Sequence, residues 1–146
     1  MTAVHVVVGV AVVVVNFAAG AWGAWAWWRE RYAPGFWPLL RAGQALVLVQ
    51  AALGGVLLIA GKELPHLHLV YGLTPIAVAF FAEQLRIVAA QTELDRRGLA
   101  GRDDVAALPE ADQRRLVRAI VRREVGVMAA SALVVALLGV RASEWL

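Results

Sequence analysis

The chain has 146 residues, of which 61% are hydrophobic and 17% charged, with net charge +3 and mean hydropathy +0.68. A soluble domain is about 45–50% apolar and about 25% charged, so this chain carries more apolar surface than a small soluble core can hide, and lipid is expected to solvate the remainder. It has no cysteine, which excludes disulfides, iron–sulfur clusters and thiolate metal sites.

The first apolar stretch runs from about residue 3 to Trp28 with no charge before Arg29. At about 1.5 Å per residue it is long enough to cross a hydrocarbon core of about 30 Å. Its length and lack of alternation favour a membrane helix over a strand. No basic residue precedes it, so it reads as a retained span rather than a cleaved leader. A turn with two prolines and a glycine (Pro34, Gly35, Pro38) leads into a second span, about 38–61. Only Lys62, Glu63 and Leu64 separate that from a third span, about 66–87, extending as helix to about residue 97. Two spans joined so tightly must form an antiparallel hairpin.

Residues 88–123 are the one substantial polar segment. Gly98 is expected to end the third helix, and Gly101-Arg102-Asp103-Asp104 reads as a turn with an Asp N-cap. Pro109 then opens a helix that leads into a fourth span, about 125–140. The expected architecture is all-α: one membrane domain over residues 1–146, a four-transmembrane-helix antiparallel bundle with a cytoplasmic helical segment between helices three and four.

Orientation follows from the basic residues. Of the 14 Lys and Arg, 12 flank or fill the first and third loops, and only Lys62 and Arg141 fall on the other side. The Arg-rich side is therefore expected to be cytoplasmic, with both termini extracytoplasmic, in a multi-pass protein of the inner or plasma membrane. Trp22, Trp25, Trp27, Trp28 and Trp37 gather at the cytoplasmic boundary and Trp145 at the outer one, as an aromatic belt does. Nucleic acid is not an expected partner, because the arginines are interleaved with acids and lack accompanying aromatics.

Polar groups inside a span need a partner or a purpose. Asn16 and Gln50 lie 13 and 11 residues from the outer ends of their spans, and a hydrogen bond between them is the simplest expectation. Gln44 and Glu83 lie deeper, beside Arg41, Arg86, Arg123 and Glu124. This layer reads either as a neutralised belt or, at Glu83, as a candidate proton or quinone site. Ala19-x-x-x-Gly23 and Gly54-Gly55 are expected to allow close helix approach.

The chain's three histidines, His5, His66 and His68, all map to the outer ends of helices. His66 and His68 are about 200° apart around a helix, so only one can face inward. His68 shares its face with Tyr71 and Gly72, and Gly9 stands to His5 as Gly72 stands to His68. Neutral imidazoles from two facing helices are how a bundle holds a six-coordinate haem iron. His5 and His68 are thus the candidate axial ligands of a haem b, with His66 as substitute. Gly72 and Gly9 would open a slot for the macrocycle, and Tyr71 is a candidate donor to a propionate. The same nitrogens also suit copper or zinc.

The run Gln50-Ala51-Ala52-Leu53-Gly54-Gly55-Val56, followed by a short outer loop and a helix opening with His68, resembles one half of the heme A synthase family. The resemblance covers about residues 1–75. It implies a four-helix bundle holding an extracytoplasmic b-type haem, with His5 and His68 as its ligands.

Three functions follow as expectations. The chain binds haem for electron transfer or haem handling. Alternatively, it is a non-catalytic accessory or assembly subunit, partnered by the bilayer and by other membrane subunits or further copies of itself. A third reading is a small transporter with Asn16, Gln50 and Glu83 along its path. No hydrolytic constellation or phosphate-binding loop is present, so an enzyme is the less expected outcome.

Overall fold

The computed structural model describes residues 2–63 and 65–143, and Trp145 lies outside them. The protein is all-helical, with 86% helix and no strand among the described residues. In chain order the helices are α1 (Thr2–Trp28), α2 (Phe36–Ile59), α3 (His66–Asp95), α4 (Arg102–Ala107) and α5 (Glu110–Ser143). All but α4 are long and apolar enough to cross a membrane.

The first three helices stop in the same way. Two or three residues past each end stands a residue with positive φ: Glu30 (52°), Gly61 (77°) and Gly98 (66°). The next amide reaches back five residues, as in Arg31 to Ala26, Lys62 to Leu57 and Leu99 to Leu94, all at 2.9–3.1 Å. This geometry caps carbonyls that the helix cannot satisfy, and glycine suits it because it has no Cβ. Glu30 adopts it without that freedom, and its carboxylate is held 2.9 Å from Arg122 on α5.

The connection before α4 differs from the expected Asp N-cap. Gly101 occupies the cap position and no side chain caps it. Asp103 and Asp104 lie inside the first turn, and Asp104 accepts from the Ala100 amide at 2.7 Å. Negative charge there suits the partial positive end of the helix. Pro109 supplies the carbonyl that opens α5, accepting from Asp112 and Gln113.

The long helices form a ring in the order α2–α1–α5–α3, and only the α2–α3 flank is loosely closed. Neighbours run antiparallel: His5 near the start of α1 meets Gln50 late in α2, and His68 at the start of α3 meets Ala142 at the end of α5. The tightest packing is in the Arg-rich half, where Phe36, Leu40 and Met128 interlock with Ala19, Ala82, Ala129 and Ala132. Gly23 is what admits Phe36, since a Cβ there would fall 2.5 Å from the Phe36 ring and 2.8 Å from Ala129 Cβ. A smaller cluster of Val12, Val47 and Val135 continues the core toward the histidine end. The outer faces stay apolar, with Val7, Phe17, Phe81 and Leu137 all exposed. Such surfaces are stable only when lipid or another apolar partner covers them.

Candidate functional site

The histidine end of the bundle holds the buried imidazole pair. His68 sits in the first turn of α3 and is 7% exposed. Its Nδ1 lies 3.1 Å from the carbonyl oxygen of Ala142. That carbonyl belongs to the last described turn of α5. A carbonyl only accepts, so Nδ1 carries the proton and donates. In the neutral ring Nε2 is then a bare lone pair. A backbone carbonyl fixing the far nitrogen is the usual support of a metal-binding histidine.

His5 faces it from α1, 6% exposed, with the two ring centres 6.0 Å apart and the planes tilted by 53°. Imidazole nitrogens sit about 2.0 Å from a bound metal ion, with the ring centre about 1 Å further back. Two imidazoles on opposite sides of one ion therefore stand with centres about 6 Å apart. His5 Nε2 is 3.1 Å from the Gln50 side-chain amide, whereas His5 Nδ1 and Gln50 Oε1 are buried without a hydrogen-bond partner.

Both rings border a cavity of about 300 Å³ to which all four long helices contribute. Its wall is mostly valine, leucine and glycine, with Tyr71 and Pro75 from α3. The volume lies at the lower end of the range for small-molecule sites. A Cβ at Gly72 would meet nothing within 4 Å, so that position faces open space, as a slot requires. Gly9 differs from the expectation. A Cβ there would come 3.0 Å from Gln50 Nε2, so Gly9 makes room for the glutamine side chain instead of for a macrocycle. His66 is exposed and does not border the cavity, so it is not positioned as a substitute ligand. Among the described residues, no group of three or more His, Asp or Glu side chains converges on a metal position. The pair is a two-ligand arrangement, which suits a metal that brings its own equatorial ligands.

The expected Asn16–Gln50 bond does not form. Asn16, 2% exposed, donates to Val12 O at 2.9 Å and to Gly43 O at 3.4 Å. Gln50 turns to His5 instead. Asn16 lies opposite Gly43 and Gly9 opposite Gln50, seven residues apart on each helix, an offset of about 10 Å at helical rise. Asn16 is sealed between backbones and borders neither the cavity at the histidine end nor a second one between α2 and α3.

Glu83 lies toward the opposite end. Its carboxylate accepts from Arg41, from Gln44 at 3.1 Å and from Arg86 at 3.1 Å. Arg86 continues to Glu124 on α5 at 3.8 Å and lies over the Trp37 ring. Arg41 approaches both carboxylate oxygens, so the acceptor positions of Glu83 are taken by protein donors. The geometry is that of a clamp between α2, α3 and α5. Beside it a groove of about 240 Å³ runs between α2 and α3, lined by Leu48, Ile76 and Phe80.

The sequence reading missed Glu93, which is buried and bonded to Arg123 on α5 at 2.9 Å and to Arg97 at 3.4 Å. The i,i+4 spacing to Arg97 was the available signal. It also missed the Ala142 carbonyl, which no side-chain pattern announces. Of the small-residue pairs, Gly54 lies 3.5 Å from His5 Cε1 by its absent Cβ, while Gly55 faces open space. No protein-family model, curated protein or solved structure matches the chain, so the resemblance to heme A synthase rests on its own residues alone.

Proposed function

We propose that the chain is a small four-span membrane protein that holds a b-type haem between His5 and His68, serving electron transfer or haem handling near the extracytoplasmic face. The observation that carries this reading is the pair of buried imidazoles with centres 6.0 Å apart beside an apolar cavity. His68 contributes a ring whose far nitrogen is already anchored, and Gly72 leaves space one turn further along α3. Haem would supply one-electron redox chemistry. The protein's own share is to supply two neutral nitrogens, exclude water with valine and leucine, and offer Tyr71 at the rim. The arginine distribution supports a cytoplasmic position for the Glu83 end and an outer position for the histidine end.

The test is a reduced-minus-oxidised absorption spectrum of protein purified from haem-replete cells. A Soret band that His68→Ala bleaches is expected, and a colourless preparation overturns the proposal. A second reading, a non-catalytic accessory subunit, is favoured by the His68–Ala142 bond, which ties α3 to α5 without any cofactor. Under that reading His68→Ala lowers stability with no spectral change, and the chain leaves gentle detergent with partner subunits or as an oligomer.

A further inference from the structure

The two imidazoles are not equivalent, and the difference sets what the site can bind beyond its own ligands. His68 is anchored at Nδ1 by a backbone carbonyl, which cannot turn away without unwinding the end of α5. Its Nε2 is unengaged by that bond and stays so. His5 has the reverse arrangement: Nε2, the nitrogen farther from the backbone and better shaped to ligate, is in contact with the Gln50 amide, while Nδ1 is buried without a partner. Ligation through Nε2 costs His5 its bond to Gln50, and release of the metal restores it. The Gln50 amide sits at the tip of a flexible side chain and packs against Gly9.

We infer that His5 is the exchangeable member of the pair and Gln50 its resting partner, so that a neutral diatomic gas can take the His5 side of the proposed haem. The inference rests on the haem reading. Gln50 acts as a positioning residue, since it stabilises the released imidazole and never touches the metal. The ligand class follows from the wall. The cavity wall is mostly valine, leucine and glycine, its polar members besides the histidines are Gln50, Tyr71 and Ser143, and it carries no lysine or arginine, so it admits carbon monoxide or nitric oxide more readily than a charged anion. In the exchange the contact of His5 to the metal would give way to the gas, the His5–Gln50 hydrogen bond would re-form, and no electron would be transferred.

The test uses full-length protein loaded with haem and reduced, titrated with carbon monoxide and, in the oxidised form, with azide. Carbon monoxide is expected to shift the Soret band and azide to leave it unchanged. Gln50→Leu is expected to weaken carbon monoxide binding about fivefold, the weight of one net hydrogen bond. Gly9→Ala acts on the same amide by steric pressure alone and is expected to weaken binding by a smaller factor. It decides the matter if Gln50→Leu does not take up haem. In the apo-protein, Gln50→Leu should also move the ¹⁵N resonance of His5 Nε2 and leave His68 in place. Haem uptake with no carbon monoxide shift, or with affinity unchanged in both variants, overturns the inference and leaves the haem reading standing. Protein that takes up no haem overturns both.

Discussion

The clamp at Glu83 makes a prediction whose size can be worked from its surroundings. Glu83→Gln keeps the shape of the side chain and removes its charge. The side chains of Glu83, Arg41 and Arg86 are 26%, 49% and 29% exposed. Exposed ion pairs contribute about 0–1 kcal/mol, and removing one member of a buried pair costs about 3–5 kcal/mol. Arg41 is half-exposed and recovers water when its partner is neutralised, and Arg86 keeps Glu124 and the Trp37 ring. The expected loss therefore falls near the exposed limit, at about 1–2 kcal/mol. Unfolding in mixed micelles of increasing SDS fraction, followed by tryptophan fluorescence, measures it. Combining Glu83→Gln with Arg41→Met should recover a coupling of about 0.5–1 kcal/mol. If Glu83→Gln is as stable as the parent and the cycle shows no coupling, the clamp assignment is wrong. The carboxylate would then be retained for chemistry.

Three further outcomes are expected. Gly23→Ala places a methyl group 2.5 Å from the Phe36 ring and should cost about 1–3 kcal/mol in the same unfolding assay. Gly72→Leu points into open space, so it should leave that stability unchanged while reducing haem occupancy, read as the Soret-to-protein absorbance ratio. Because the chain has no cysteine, single replacements report sidedness directly. Gly101→Cys should resist an impermeant thiol reagent added to intact cells, and Lys62→Cys should react; the reverse pattern refutes the orientation.

What was legible in the sequence is what depends on one helix at a time. Hydropathy and length identify four apolar helices because each must satisfy its own backbone. The Gly61 and Gly98 stops are readable for the same reason. What was not legible depends on how neighbouring helices are offset and rotated. Counting residues placed Asn16 level with Gln50, yet the true offset exceeds a helical turn, and each found a different partner. His5 and His68 could be placed at a common depth, but the carbonyl holding one and the amide holding the other lie on α5 and α2. Glu93 looked like one more solvated acid because its burial depends on Arg123, 30 residues further along.

The loose flank between α2 and α3 has a consequence for how the protein meets its surroundings. A barrel closed on every side would take its contents only from the water at its ends. Here the fourth side is left for acyl chains to complete. On the haem reading, the sparse α2–α3 flank would offer a flat, greasy molecule dissolved in the bilayer a sideways approach to the imidazoles. On that reading, chain length and unsaturation of the host lipid would become determinants of occupancy, and the same polypeptide would fill differently in thin and thick membranes.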